Sequence, residues 1–432
     1  MFPGSASWDY SNEISQVLGI TNWSTHHPIM MTFLFGIIWK AGFFFGQEIG
    51  ALALTTIIQT AITAAIFTLS LLYLTRIIKN RICFYFIHIL WGLIPIVQIY
   101  MQWEVKDTLS SALLFLFLLL CIMRLRKPQL EKKYSLIYSM PALSFIGVIA
   151  SLSRNNYTFV VITALLIFLI VEKKIAQKVA ITIAILCVSL ACTGFNALIS
   201  HVDNMETGSK AEMLSFPLQA TARTLVKYPD DITPEEEEIL SILFGQERFS
   251  NMKDYYNPQI SDPVKYEINT DQELLTSYFA IWIEQGIRHP ITYLESFFLC
   301  GAGYLSPNYP SQEGTSPLQA RIQPAEEYDE AISTSLESPW QSLREGYCEL
   351  TKSLAKLPFI NLLFSPSFYI WICIFSLIKL KEKHQQEALI GFPLAILLLT
   401  DIFSPLNGSV RYALPFIFIV PLLIGLLWSK KE

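Results

Sequence analysis

The residues best suited to chemistry are charges at the edges of long uncharged runs. Asp9, in Trp8-Asp9-Tyr10, offers a carboxylate ahead of an apolar segment. A carboxylate there can take a proton from a hydroxyl, help hold a divalent cation (Mg or Mn), or simply cap a helix starting near Ser11. His26-His27-Pro28 offers two imidazoles that can orient a substrate or a metal. Adjacent side chains point apart, which counts against joint chelation. Pro28 equally marks an interfacial helix start. Lys106-Asp107 opens an apolar run. A helix N-terminus favours phosphate, and Lys106 adds a full charge; alternatively Asp107 caps the helix and Lys106 snorkels. Arg154, in Ser153-Arg154-Asn155-Asn156, and Arg411, in Val410-Arg411-Tyr412, are lone arginines between or before apolar runs. Each can grip a phosphate bidentately or anchor a membrane edge.

The elements that must position these residues are membrane helices. The chain has 432 residues, 52% hydrophobic and 16% charged, against about 25% charged in a typical soluble domain. Several uncharged stretches exceed the roughly 18 residues that mark a membrane span. This composition excludes a free soluble enzyme, a disordered chain and a disulfide-dense secreted domain. A net charge of −5 without a basic stripe argues against a nucleic-acid partner. Of seven cysteines, five fall in apolar runs; Cys300 and Cys348 lie where a disulfide can form, but no spacing has framework character.

Nine uncharged runs read as spans: Ile49–Thr75, Ile82–Trp103, Thr108–Met123, Tyr134–Ser153, Asn155–Val171, Val179–Ser200, Leu357–Ile378, Ala388–Thr400 and Tyr412–Ser429. Lysine and arginine cluster in every second loop: Arg76, Lys79 and Arg81; Arg124, Arg126, Lys127, Lys132 and Lys133; Lys173, Lys174 and Lys178; Lys379, Lys381 and Lys383; Lys430 and Lys431. These loops are expected on the cytoplasmic side, which puts Lys106, Arg154 and Arg411 outside. The same parity keeps two weaker apolar segments, 28–47 and 290–305, external and half-embedded rather than spanning.

Residues 201–356 then form an external, mainly helical insert between a transmembrane module (1–200) and C-terminal transmembrane helices (357–432). Within it, Thr233-Pro234 followed by Glu235–Glu238 reads as a capped helix start. Polar chemistry gathers at the external surface, and ionisable residues within spans are scarce. That division suits an enzyme working on a lipid-linked substrate better than a transporter.

The pattern resembles the GT-C glycosyltransferases, multispan enzymes that use polyprenyl-phosphate sugars. The likeness runs through Phe2-Pro3-Gly4 to Asp9, His26-His27-Pro28, Lys106-Asp107, Arg154-Asn155 and Arg411-Tyr412. It is closest to an uncharacterised bacterial branch, which also carries Pro217-Leu218-Gln219 with Arg223, Asp262-Pro263-Val264-Lys265, and His289-Pro290 with Tyr293. The resemblance implies an all-α, polytopic helical bundle in a bacterial plasma membrane, with external juxtamembrane helices. It implies Asp9 and Asp107 as catalytic acids, and His26, His27, Lys106, Arg154, Asn155, Arg411 and Tyr412 as substrate-binding residues. The partners would be a polyprenyl-phosphate sugar donor, an envelope glycan or glycolipid acceptor and membrane lipids. Many members have two adjacent acids where this chain has Asp9-Tyr10, with the next acid at Glu13. The family also has a span before its first external loop, so its absence here reads as a truncated start. The competing expectation is a flippase, exporter or polymerase of lipid-linked glycans, which needs the cations but, for transport, no acid at Asp9.

Overall fold

The computed structural model describes residues 2–78, 81–126, 139–201, 205, 206, 208, 210–307 and 340–429. Lys79, Lys127, Lys132, Lys133, Lys430 and Lys431, named above as loop cations, lie outside the described residues.

The described chain is mainly helical. Among the described residues, four helices are long and apolar enough to cross a membrane: Ile29–Ile77, Lys106–Leu125, Ile175–Ile199 and Val410–Leu427. Met140–Ser153 and Tyr157–Val171 are apolar but shorter. The protein is therefore an all-α membrane protein. Three of the nine expected runs take a different form, the run 388–400 by opening in a 3-10 turn, Gln386–Ile390, ahead of its helix Gly391–Ile402. The run 82–103 is not one helix: it divides into Arg81–Leu93 and Pro95–Tyr100. Pro95 lacks an N–H for a continuing helix and drives Ile94 to extended backbone, φ −68° and ψ 108°. The run 357–378 begins with a 3-10 turn, Ile360–Phe364, and its helix starts only at Pro366.

The Ile29–Ile77 helix is broken at Gly46 and Gln47, whose backbones leave the helical region. A straight helix would separate Gly42 from Ala51 by about 13 Å. Instead a Cβ on Gly42 would lie 2.5 Å from Ala51 Cα, so the two arms fold back on each other. A side chain at position 42 would therefore collide with the backbone of the other arm. The segment 28–47, expected as half-embedded, is thus a separate arm whose tip, Phe44 and Phe45, is 89% and 83% exposed.

Ahead of it, Trp8–Leu18 forms the first helix. Ser7 caps it, accepting from the Tyr10 N–H at 3.1 Å. Gly19 closes it in the left-handed conformation at φ 74°. Its apolar face, Tyr10 and Ile14, is buried against Met31, Phe35, Trp39, Ala51, Leu52 and Leu109. Tyr10 meets Phe35 edge-on at 5.1 Å and its hydroxyl lies 2.9 Å from Thr55 Oγ1. Such an aromatic pair contributes about 0.5–1.5 kcal/mol beyond burial.

The chain forms two compact units. One comprises Met1–Gly208, Glu313–Leu397 and Val410–Glu432; the other comprises Ser209–Gln312 and Leu398–Ser409. The second is narrower than the expected insert 201–356 and recruits residues 398–409 from the C-terminal region. Its core gathers Leu218, Leu225, Leu240, Leu243, Phe244, Val264 and Tyr278. The capping box is present as read: Thr233 accepts from the Glu236 N–H, and the Glu236 carboxylate accepts from the Thr233 N–H at 2.9 Å. Gly303 donates its N–H to Asn407 Oδ1 at 2.7 Å, which ties in the 398–409 segment. Cys300 and Cys348 both carry free thiols.

Candidate functional site

The site begins with a two-rung parallel ladder. Ser5 pairs with Trp103 and Ala6 with Glu104. Helices start directly beyond both strands, at Trp8 and at Lys106. The ladder therefore sets two helix N-termini side by side, each with a charged residue in its first turn. Gly4 makes the approach possible: its φ is +118°, and a Cβ there would sit 2.0 Å from Thr56 Oγ1.

Lys106 Nζ donates to Asp9 Oδ2 at 2.8 Å and to His27 Nδ1 at 2.8 Å. Arg411, in the first turn of the final helix, donates to the same Asp9 oxygen from Nη1 at 3.0 Å. Arg154, where Met140–Ser153 ends, pairs with Asp107. Arg411 Nε approaches Asp107 Oδ2 at 4.0 Å. Tyr412 lies between the arginines, its ring centroid 4.5 Å from Arg154 Cζ and 5.1 Å from Arg411 Cζ. Three cations thus surround two carboxylates. Asp107 is fully enclosed, whereas the side chains of Asp9, Lys106 and Arg411 remain 20%, 13% and 18% exposed. The accessible edge of the cluster is therefore the Asp9–Lys106–Arg411 edge.

The supporting bonds repeat at helical spacing. Asp107, Ser110 and Ser111 share one face of their helix. Ser110 Oγ donates to the Ser153 carbonyl at 3.0 Å, and Ser111 Oγ lies 3.1 Å from the Tyr157 hydroxyl. Arg154 is 5.5 Å from the Tyr157 ring. These bonds seat the short loop between Met140–Ser153 and Tyr157–Val171 against the start of Lys106–Leu125.

The environment divides the titratable groups. Burial opposes charge on Asp9, but Lys106, Arg411 and His27 outweigh it and hold the carboxyl well below the usual range. Burial and the neighbouring Lys106 ammonium lower His27 to about 3. His27 is therefore neutral, and its Nδ1 accepts from Lys106. Burial raises Glu13 to about 8, helped by Asp9 and Asp107 against Lys106. Burial likewise raises Glu104 to about 8. Thr56 Oγ1 lies 2.7 Å from Glu104 Oε1 and 2.9 Å from the Pro3 carbonyl. One hydroxyl proton cannot fully serve both, whereas a protonated Glu104 can donate to Thr56 while Thr56 donates to Pro3.

Seven of the nine residues singled out from sequence meet in this cluster: Asp9, His27, Lys106, Asp107, Arg154, Arg411 and Tyr412. Two do not. His26 is exposed and stands edge-on to the His27 ring at 4.7 Å. Asn155 is exposed, and only its backbone carbonyl is engaged, by the Thr158 N–H. Two capping alternatives are also replaced: Ser7, not Asp9, caps the first helix, and Asp107 is committed to Arg154 rather than to its own helix start. The sequence reading noted Glu13 only as the next acid after Asp9, and did not single out Tyr157. Glu13 was legible in principle, because four residues after Asp9 is one helical turn on the same face.

A divalent cation does not fit these donors. Both carboxylates are occupied by cationic side chains, burial favours the protonated form of Glu13, and no cluster of three His, Cys, Asp or Glu ligands occurs among the described residues.

The motif residues of the second unit serve its architecture. Gln219 Nε2 donates to the Asn257 and Ile260 carbonyls, both at 2.8 Å. Arg223 and Lys227 converge on Glu295, and Arg223 also reaches the Tyr256 hydroxyl. Lys265 bridges Glu212 and Asp262. His289 stacks on Tyr228 at 4.3 Å, and the Tyr293 hydroxyl donates to the Trp282 carbonyl.

Fold and cluster define an all-α membrane protein with a buried, cation-rich site where several helices begin. Residues 19–432 match the family described as "Family of unknown function (DUF6020)", and the chain belongs to that family. Lys106, Asp107, Arg154 and Arg411 lie within the matched region; Asp9 and Glu13 precede it. No curated protein and no solved structure is significantly similar to the chain.

Proposed function

We propose that the protein is a GT-C-type glycosyltransferase of the bacterial plasma membrane. It would move a sugar from a polyprenyl-phosphate donor to an envelope glycan or glycolipid acceptor at the outer face. The observation that carries this reading is the excess of cations at one end of the apolar helices: Lys106, Arg154 and Arg411 around Asp9 and Asp107. A lipid phosphate presents its charge at this depth while its chain lies among apolar residues. Lys106 and Asp107 are in the first turn of their helix, and Arg411 is in the first turn of the last, so backbone N–H groups add to the attraction.

At rest Asp9 is a poor base, because two cations hold its proton affinity down. A donor phosphate changes that by competing for Lys106 and Arg411. Asp9, released from one or both, gains proton affinity beside the sugar and can deprotonate the acceptor hydroxyl as it attacks the anomeric carbon. The bond from that carbon to the phosphate oxygen breaks, and Lys106 and Arg411 stabilise the charge on the departing phosphate. Arg154, committed to Asp107 and stacked on Tyr412, positions the arginine pair.

The test is glycan mass spectrometry on a deletion strain complemented with wild type or Asp9→Asn at equal membrane abundance. Loss of a sugar that only wild type restores supports transfer. Equal restoration by Asp9→Asn, with failure of Lys106→Ala and Arg411→Ala, supports the alternative of a flippase or exporter. A polymerase acting on the same class of lipid-linked glycan would instead change chain length.

A further inference from the structure

Glu13 lies one turn beyond Asp9 in the first helix, within electrostatic range of Lys106, Asp9 and Asp107. The residue is 0% exposed, and neither carboxylate oxygen has a hydrogen-bond partner. An ionised carboxylate so placed would lack both water and donors, and its desolvation would go uncompensated. A neutral acid avoids most of that cost. Lys106, the cation that acts on it, already spends two of its three protons on Asp9 and His27.

We infer that Glu13 is the neutral acid of the cluster and that its proton governs phosphate binding there, an inference that rests on reading the cluster as a phosphate site. With Glu13 protonated, Lys106, Arg154 and Arg411 face Asp9 and Asp107, and one positive charge remains for the ligand. Once Glu13 ionises, the cations are balanced and the attraction for an anion is lost. His27 stays neutral across this range and Asp9 stays charged. Glu13 is thus a positioning residue for charge, distinct from the acid that touches the substrate.

The experiment is binding of undecaprenyl phosphate to the full-length protein in detergent, from about pH 7 to about pH 9.5. A phosphate monoester loses its second proton near pH 6, so the ligand's own charge is constant in that window. Wild-type Kd should rise about tenfold or more as Glu13 ionises, since a strictly required proton gives tenfold per pH unit above its midpoint. Glu13→Gln, neutral at every pH, should bind with a Kd constant to about twofold. Infrared spectroscopy supplies a reading independent of the ligand. A carboxylic-acid carbonyl band should fade in wild type as pH rises, and Glu13→Gln should lack the component that Glu104 does not supply. A flat wild-type profile, an unchanged pH dependence in Glu13→Gln, or no infrared component belonging to Glu13 overturns the inference. No binding in wild type at pH 7, with that component present, overturns the phosphate reading and this inference with it. The wild-type profile alone decides the matter if Glu13→Gln does not fold.

Discussion

Asp9 and Arg411 stand 402 residues apart in the chain and meet at 3.0 Å. The carboxylate in the first turn of the first helix is thereby joined to the guanidinium in the first turn of the last. Lys106 shares the same oxygen, so one carboxylate holds two cations that arrive on separate helices.

Removing either cation should weaken phosphate binding more than it destabilises the fold. A charge-assisted hydrogen bond contributes about 1.5–3 kcal/mol, so Lys106→Ala and Arg411→Ala should each raise the Kd for undecaprenyl phosphate about 10–100-fold. Asp9→Asn should bind it at least as tightly as wild type, because the carboxylate competes for the same cations. Its sugar transfer should nevertheless fall about 10²–10⁴-fold, the usual contribution of a positioned base. Equilibrium binding and product analysis on the same preparations separate the two effects.

The Asp107–Arg154 pair should matter most for stability. Asp107 is enclosed, and breaking one side of a buried pair costs about 3–5 kcal/mol. Asp107→Asn should lower the thermal unfolding midpoint in detergent more than Asp9→Asn, whose partners keep access to water. Adding Arg154→Gln to Asp107→Asn should recover part of the loss by removing the stranded charge.

Stability should fall as pH rises from about 4.5 to about 8. Glu13 and Glu104 both have native values raised from 4.5 to about 8. Each binds its proton more tightly folded than unfolded, so its contribution is complete below the unfolded value and is lost as pH passes through the native one. At the acid end the order reverses. Asp9 and His27 are lowered in the native state, so their contributions vanish as pH falls below their unfolded values of 3.8 and 6.5. In the double variant Glu13→Gln/Glu104→Gln the fall should disappear: midpoints should rise with pH up to about 6.5, as His27 dictates, and stay flat from there to about 8.

Gly36 should resist substitution. A Cβ there would sit 2.6 Å from both Val17 methyl carbons, where the first helix lies against the 29–45 arm. Overpacking of this kind costs about 1–3 kcal/mol. Gly36→Ala should lower the unfolding midpoint, and adding Val17→Ala should restore much of it.

The charged core of the site was legible because each member broke an expectation: a lone cation or acid at the edge of an uncharged run demands a partner. Sequence gave no way to choose between neighbours. His27 and Asp107 are engaged while His26 and Asn155 face outward, and that choice depends on backbone direction at a helix start. Glu13 was noted as the next acid but given no part in the site, because adjacency to Asp9, rather than helical spacing, guided the reading. The break at Pro95 was legible from proline chemistry but was outweighed by a long apolar run. The recruitment of residues 398–409 into the second unit rests on long-range bonds such as Asn407 to Gly303, which local patterns do not encode.

The two-rung ladder has a consequence for how the gene can vary. Ala6 sits against Glu104, and only Ser7 and Trp8 separate it from Asp9. One residue added or removed there would turn the helix by about 100° and swing Asp9 away from Lys106 and Arg411. The spacing is a ruler as much as the side chain is a reagent. Insertions between residues 6 and 9 should be as damaging as loss of the carboxylate itself.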